Sequence, residues 1–389
     1  MCNALRRLSR RLFRRPEIFV LLGTLGLLLS PACAVDEETD ELTAKLEDIR
    51  KDHGLPALAA VAMRHGKLVA NAAAGVRKLG APDLVTIDDQ WHLGSITKSM
   101  TATLTGMMVD EGKLNWHSTI AEVFPELEDA MHPAWRAVTL EQLLTHRSGA
   151  PPHPPVDLWA EALKQKGTPT EQRLALLHGT VCRPPEEPPG KKFLYSNEGY
   201  AIAGAMIERV SGRAWEDLLR ERLFKPLEMK SAGFGAPASP GKPDQPWGHF
   251  GAIGELRPVT PGPLADNPPA IGPAAAVHAT LADLARYANW HADWDRAEPR
   301  LLSQETFKRL HKRVPGQNYA MGWLVEERDW GGGDVLWHKG SNAMFYAVMW
   351  VAPEKDAVFV AATNAAHSEA DDACNDAVVA LMRRVLGKN

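Results

Sequence analysis

Strand-like apolar patterns lie near both ends of this chain, and helix-like patterns lie between them. From Glu41 to Gly54 the apolar residues recur at helical spacing, and the glycine is a typical helix end. The apolar runs Leu58–Met63 and Lys67–Ala74 follow, separated by Arg64-His65-Gly66. This part of the chain therefore predicts a helix followed by a β-hairpin.

Short apolar runs return near the C-terminal end of the chain, separated by turn residues such as Gly331-Gly332-Gly333-Asp334. They predict an antiparallel meander with short connections. A helix is predicted from Glu369 to Leu386. The predicted strands are Ala320–Glu327, Val335–His338, Phe345–Val351 and Ala357–Thr363.

Helical patterns alternate with proline-rich loops from Leu114 to about residue 300. Two of the loops are long, from Ala150 to Pro189 and from Ala236 to Pro273, and loops of this length often border a functional site. The predicted helices are Leu140–Leu144, Thr170–Leu177, Tyr200–Ser211, Trp215–Leu223 and Thr280–His291.

Strands at both ends around a helical middle predict an α/β fold. We expect an antiparallel sheet flanked by helices, formed by residues 41–113 and 301–386, with a mainly helical domain inserted over 114–300. The 389 residues are enough to bury a large core, and 45% hydrophobic with 24% charged residues is ordinary for a globular protein. A net charge of -4 gives no reason to expect a nucleic-acid partner.

The N-terminal segment 1–34 predicts export. Arginines between Arg6 and Arg15 precede the apolar run Ile18–Leu29, and Ala32-Cys33-Ala34 is a small-x-small cleavage site. This pattern is typical of a signal peptide, and Ser9-Arg10-Arg11-Leu12-Phe13 resembles a twin-arginine signal. We expect a periplasmic or secreted protein, with a lipid anchor on Cys33 and association with the cell envelope as the alternative.

Cleavage after this segment leaves two cysteines, Cys182 and Cys374. In an oxidising compartment they can pair, and they can equally be separate thiols. The sequence favours neither arrangement.

A candidate nucleophile lies at the start of an apolar-periodic segment that ends at Glu111-Gly112. Ser95 and Lys98 are three residues apart, and residues three apart on a helix are neighbours. The spacing therefore brings a hydroxyl within reach of an amine that can take its proton. Ser-x-x-Lys is a weak signal when it stands alone.

Two further motifs follow in order: Tyr195-Ser196-Asn197 before a predicted helix, and His338-Lys339-Gly340-Ser341 at the end of a predicted strand. Ser-x-x-Lys, Tyr-x-Asn and a basic residue-x-Gly in this order resemble the serine β-lactamase and penicillin-binding protein superfamily. Within it, the chain is most similar to class C β-lactamases, D-alanyl-D-alanine carboxypeptidases and related esterases. Leu143–Gly149 and Leu281–Tyr287 also resemble that family, and the resemblance covers roughly residues 40 to 386.

The resemblance implies a role for each motif residue. Ser95 is expected to be the acylated nucleophile, Lys98 its base, and Tyr195 a second base that protonates the leaving group and activates the deacylating water. Asn197 is expected to orient the lysine and the substrate amide. The oxyanion hole is expected to consist of the backbone N–H groups of Ser95 and Ser341, with Gly340 allowing the close approach.

The chain departs from the family at the third motif, which usually begins with lysine. Because strand side chains alternate between faces, Lys339 is expected to point away from the face that His338 shares with Gly340. Our hypothesis is that His338, with a pKa near neutrality, binds a substrate carboxylate weakly and in a pH-dependent way. Gly272-Pro273-Ala274-Ala275-Ala276 also replaces the family's usual Gly-Gly pair, which leaves the geometry of that loop open.

These observations favour an exported serine hydrolase that acts through an acyl-enzyme as a D-Ala-D-Ala carboxypeptidase or esterase. A β-lactamase proper, and a penicillin-binding sensor or scaffold without turnover, are the alternatives. We expect a small-molecule or peptide substrate (ester, amide or β-lactam), a monomer and no cofactor. We also expect no metal, because metal-ligand spacings such as Cys-x-x-Cys are missing from the sequence, and we expect His146 to stabilise a loop.

Overall fold

The computed structural model describes residues 31–387, and the residues from Thr39 onward form one compact unit. The predicted signal peptide lies outside the described residues, apart from 31–34. Within the described residues, no helix is both long enough and apolar enough to cross a membrane.

The strands of the structure, in chain order, are β1 (Ala57–Arg64), β2 (Lys67–Gly75), β3 (Gln90–His92), β4 (Gly233–Phe234), β5 (His249–Phe250), β6 (Arg257–Pro258), β7 (Val277–Thr280), β8 (Leu324–Arg328), β9 (Gly333–Ser341), β10 (Tyr346–Ala352) and β11 (Ala357–Thr363). The helices are α1 (Pro31–Asp52), α2 (Thr97–Asp110), α3 (Ile120–Val123), α4 (Pro133–Arg136), α5 (Leu140–Leu144), α6 (Val156–Ala162), α7 (Pro169–Val181), α8 (Asn197–Ser211), α9 (Trp215–Leu219), α10 (Gly272–Ala275), α11 (Leu281–Ala292), α12 (Gln304–Leu310) and α13 (Ala370–Leu386).

Six antiparallel strands form the main sheet in the order β2-β1-β11-β10-β9-β8, so the strands from the two ends of the chain meet where β1 pairs with β11. In β1, Leu58 faces a core formed with α1 and α13, whereas Ala59 and Val61 face the opposite core, which includes α2 and α11. Since alternate side chains of a strand point to opposite faces, a strand buried on both faces reads as an unbroken apolar run. The predicted fold class is confirmed.

The predicted elements differ from the observed ones mainly at their ends. β8 begins at Leu324 instead of Ala320, because Gly322 has φ 76° and lies against the backbone of Lys98 and Ser99. The pattern from Trp215 to Leu223 forms α9 and then a π-helical turn over Arg220–Phe224. The division of the chain into two α/β segments and a helical insertion over 114–300 stays a prediction.

A second, small sheet lies beside the start of α2 and has the strand order β3-β7-β4. Its strands have two to four residues, too few for a pattern of alternation to be visible in the sequence. The Leu93 N–H donates to the Val277 carbonyl (2.8 Å), so the chain leaves this sheet just before the turn that leads into α2.

Candidate active site

Ser95 lies in a 3₁₀ turn over Gly94–Ile96 that leads into α2. The sequence predicts that Ser95 lies on the helix itself, whereas in the structure it lies two residues before the start of α2. Lys98, in the first turn of α2, is fully buried, and its Nζ lies 3.0 Å from the half-buried Ser95 Oγ. The predicted neighbourhood of hydroxyl and amine is therefore present.

Three oxygen atoms surround the Lys98 amine. In addition to Ser95, the Asn197 Oδ1 lies 2.7 Å and the Ala274 carbonyl 3.1 Å from Nζ. Among the described residues, no carboxylate forms an ion pair with Lys98. Burial lowers the pKa of Lys98 well below its usual value, which favours the neutral amine that a base requires.

The Ala274 carbonyl belongs to the loop whose geometry the sequence left open. Gly272–Ala275 forms the short helix α10, in which the alanines keep ordinary negative φ values. This part of the chain therefore needs no glycine pair, and its carbonyl reaches the amine without backbone strain.

Tyr195 lies immediately before α8, and Asn197 is the first residue of that helix. Ser196 caps the helix, since its Oγ accepts the Gly199 N–H (2.9 Å) and donates to the Pro151 carbonyl. The Tyr195 ring lies 4.7 Å from the Lys98 Nζ. Burial raises the pKa of Tyr195 by more than the nearby Ser95 hydroxyl lowers it, so the phenol keeps its proton in the resting site.

His146 holds the Tyr195 segment in place. Its Nδ1 accepts the Ser196 N–H (3.0 Å), and its carbonyl accepts the Leu194 N–H (2.8 Å). The His146 and Tyr195 rings pack with centroids 4.2 Å apart. The expected role of a loop-stabilising histidine is confirmed, although the loop it stabilises carries the predicted site residues.

The end of β9 lies against the turn that carries Ser95. A Cβ added to Gly340 would collide with the Leu93 carbonyl and the Ser95 nitrogen, and one added to Gly94 would collide with the Ser341 nitrogen. Gly94 has φ 49°, a conformation that glycine adopts without strain. The backbones of Ser95 and Ser341 are therefore side by side, as the predicted oxyanion hole requires.

The hypothesis about the charge of His338 is wrong. The residue is 2% exposed, and burial together with Lys98 lowers the pKa of His338 to about 3. Its Nδ1 donates to the Lys339 carbonyl (2.7 Å), which leaves Nε2 to accept from the Tyr319 hydroxyl (3.2 Å). A neutral imidazole with both nitrogens in use does not bind a carboxylate by charge.

Lys339 points to the other face of the sheet, as predicted, and pairs there with Asp371 at 2.6 Å. Tyr319 is a site residue that sequence reasoning missed, because it lies in an apolar stretch before β8 with no motif around it. Its ring lies 4.7 Å from His146 and 5.6 Å from Phe193, so it joins the third motif to the Tyr195 segment.

The two cysteines are separate free thiols, with Cys182 exposed and Cys374 buried. Within residues 31–387, no three or more His, Cys, Asp or Glu side chains are grouped so that they could hold a metal ion.

A family model described as Beta-lactamase matches residues 42–382, which is most of the chain. The chain belongs to the beta-lactamase family. This result agrees with the geometry of Ser95, Lys98 and Tyr195, and it confirms the resemblance on which the predicted site was based.

Among curated relatives, "Penicillin-binding protein 4" of Amycolatopsis lactamdurans is 28% identical over 82% of this chain and 84% of its own length. "Unguisins hydrolase ungD'" of Aspergillus campestris is 24% identical over 73% of this chain, which spans 54% of that relative. These proteins are similar to the chain, and their names describe their own activities.

Two solved structures show the same fold. The octameric penicillin-binding protein homologue from Pyrococcus abyssi has a TM-score of 0.72 and 23% identity, with coverage of 90% of this chain and 78% of its own. D-alanine carboxypeptidase AmpC from Burkholderia cenocepacia has a TM-score of 0.69 and 21% identity, with coverage of 89% and 99%. Because the Pyrococcus protein is octameric, the monomer expected for this chain stays a prediction.

Proposed function

We propose that this protein is a serine hydrolase that works through an acyl-enzyme on Ser95. The observation that carries the proposal is the buried Lys98 amine, 3.0 Å from the Ser95 hydroxyl and without a carboxylate partner among the described residues. A buried amine with a lowered pKa is a general base at neutral pH, whereas an exposed lysine is not.

In the acylation step, the Lys98 amine takes the Ser95 proton while the serine oxygen attacks the substrate carbonyl. The backbone N–H groups of Ser95 and Ser341 stabilise the resulting oxyanion. Tyr195, which keeps its proton in the resting site, donates it to the leaving group as that bond breaks. The Lys98 ammonium then returns a proton to Tyr195, so both groups are restored.

Deacylation uses the same groups in the opposite direction. The Lys98 amine takes a proton from water by way of the Tyr195 hydroxyl, and the oxygen of that water attacks the acyl carbon. The Ser95 oxygen leaves and recovers its proton from Lys98. Asn197, 2.7 Å from the amine, keeps Lys98 directed at Ser95 in both steps.

For the substrate, we propose an ester or a D-Ala-D-Ala peptide, and the structure favours the ester. Strand β9 presents no cation to the site, because the pKa of His338 is lowered to about 3 and Lys339 pairs with Asp371 on the opposite face. A substrate with a carboxylate, such as a penicillin or a D-Ala-D-Ala peptide, gains no ionic contact there. A β-lactamase proper is therefore the weaker candidate.

Labelling with a fluorophosphonate and with a fluorescent penicillin tests the proposal. The fluorophosphonate should label the wild type and the surface variant Ser239→Ala, but not Ser95→Ala. A panel of p-nitrophenyl esters, a D-Ala-D-Ala peptide and nitrocefin then ranks the substrates. Labelling that persists in Ser95→Ala would show that Ser95 is not the nucleophile, and acylation without product release would support a penicillin-binding sensor.

Export is part of the proposal and is supported by the sequence of residues 1–34. Expression of the full chain in a bacterial host, followed by fractionation and mass spectrometry of the mature N-terminus, tests it. A mature chain that starts near Val35 supports cleavage by signal peptidase, and a lipid on Cys33 supports the anchored alternative. An intact chain in the cytoplasm contradicts both.

A further inference from the structure

Asp266 is a buried carboxylate in the long loop between β6 and α10, and its side chain is 7% exposed. Its Oδ1 accepts the Asn267 N–H (2.7 Å) and the Asn342 Nδ2–H (3.2 Å), and it lies 2.9 Å from the His92 Nε2. One oxygen atom thus contacts three segments that are far apart in the sequence. Two of these segments flank the proposed oxyanion hole.

The first contact leads to the turn that carries Ser95. His92 is fully buried, and its Nδ1 accepts the Gly94 N–H at 3.1 Å. Because this nitrogen is an acceptor, the proton of a neutral imidazole lies on Nε2, which is 2.9 Å from the Asp266 Oδ1 without the alignment of a hydrogen bond. Asp266 therefore packs against the ring, and the ring binds the peptide unit just before the Gly94–Ser95 peptide.

The second contact leads to the turn after Ser341. Asn342 is 8% exposed, and its Oδ1 accepts the Met344 N–H (3.1 Å) and the Phe345 N–H (2.9 Å). With its oxygen used in this way, its amide N–H is free to donate to Asp266. The side chain consequently ties the turn between β9 and β10 to the loop.

We propose that Asp266 is a positioning residue that sets the distance between the two N–H groups of the oxyanion hole. The inference rests on the proposed function. Donors of such a hole act only when they lie 2.7–3.1 Å from the position of the oxyanion, so a shift of a few tenths of an ångström between the Ser95 and Ser341 backbones lowers the rate. Asp266 is the group that fixes both turns from outside the site.

The kinetic test compares Asp266→Ala with Asp266→Asn and with Asp244→Ala, a control between β4 and β5 whose carboxylate accepts local hydrogen bonds from Ser239. For ester hydrolysis, Asp266→Ala should lower kcat about 10- to 100-fold, because hole donors act in the transition state, and change KM less than 3-fold. Asp266→Asn keeps an acceptor oxygen and should recover most of the loss.

Inhibition by an arylboronic acid, which forms a tetrahedral adduct on an active serine, supplies a second measurement. Its inhibition constant should rise in Asp266→Ala by about the same factor as kcat falls. A raised KM with unchanged kcat, or an unchanged boronate affinity, would overturn the inference. If Asp266→Ala fails to fold, Asn342→Ala removes one of the two contacts of Asp266. It should also lower kcat and weaken boronate binding, but by a smaller factor than Asp266→Ala.

Amide hydrogen exchange tests the inference without activity. In Asp266→Ala the Gly94 and Phe345 amides should exchange faster than in the wild type, and in Asp266→Asn they should stay protected. Unchanged exchange at both amides contradicts the proposed positioning role of Asp266. If the variants show this exchange pattern but the wild type shows no Ser95-dependent hydrolysis, the result contradicts the proposed function instead. The two failures are therefore distinguishable.

Discussion

Glu198 follows Asn197 in the first turn of α8, and it is a buried acid with no role in the proposed chemistry. Its side chain is fully buried, and burial raises the pKa of Glu198 to about 7. The Thr180 hydroxyl can donate to the Glu198 carboxyl group or to the Leu176 carbonyl (2.8 Å), and its hydrogen bond to Glu198 lowers the pKa by less than burial raises it. Burial is therefore the reason why the protonated form fits this position.

The size of the effect on stability follows from the pKa. Glu198 has a pKa of about 7 in the folded protein against 4.5 for an unperturbed glutamate, so the folded state binds the proton more tightly. Stability contributed by the protonated acid is complete below pH 4.5 and falls as the pH rises toward 7. At 1.36 kcal/mol per pKa unit, the loss of stability relative to the fully protonated acid is about 1 kcal/mol at pH 5 and about 3 kcal/mol at pH 8.

Glu198→Gln imitates the protonated acid, because it keeps an oxygen that accepts from the Thr180 hydroxyl and it cannot ionise. The free energy of unfolding of this variant minus that of the wild type should therefore be about 2 to 3 kcal/mol larger at pH 8 than at pH 5. Any constant cost of fitting the amide cancels in this comparison. Urea unfolding at the two pH values, followed by tryptophan fluorescence, measures it.

The exposed Glu128→Gln serves as the matched control and should change the free energy of unfolding by less than about 0.5 kcal/mol at either pH. An equal effect of Glu198→Gln at pH 5 and pH 8 would refute the reasoning, because it would mean that Glu198 does not titrate between these values in the folded protein.

Three further predictions concern the site itself. Lys98→Met should lower kcat/KM for a p-nitrophenyl ester by about 10²- to 10⁴-fold through loss of the base, with the folded state preserved in thermal unfolding; activity within 10-fold of the wild type would contradict this. Gly340→Ala places a Cβ against the Ser95 nitrogen and should abolish fluorophosphonate labelling within the time that labels the wild type, so labelling at the wild-type rate would be the contrary result. His338→Gln should leave the shape of the pH profile of kcat/KM between pH 6 and 8 unchanged, because burial and Lys98 lower the pKa of His338 to about 3; a step near pH 6.5 that the variant lacks would show that His338 titrates there.

The parts of the site that the sequence predicts are those that depend on local geometry. The neighbourhood of Ser95 and Lys98 follows from residues three apart at a helix start, and the outward direction of Lys339 follows from the alternation of a strand. The contact between Lys98 and Asn197, which spans 99 positions, follows only from the order of motifs in a known family. No sequence pattern within one segment predicts this contact.

The protonation state of His338 could not be predicted, because it depends on what surrounds the side chain. The hydroxyl of Tyr319 and the carbonyl of Lys339 use both ring nitrogens, and the fold excludes water from the imidazole. The sequence around a histidine at a strand end does not show which groups surround its ring in the folded protein. The same limit applies to Asp266, whose partners come from β3, from the β9–β10 turn and from its own loop.

The basic groups of the site share one consequence of their burial. Lys98, His146 and His338 are all buried, and the pKa of each is lowered, mainly by burial and, for the two histidines, also by a neighbouring basic group. Protonation of one therefore opposes protonation of the others, so the resting site holds little net positive charge. In the proposed mechanism, the ammonium of Lys98 appears only as the oxyanion forms, and the two new charges then attract each other in a site that excludes water. This attraction stabilises the transition state and not an anionic substrate in the ground state, which supports the proposed preference for uncharged esters.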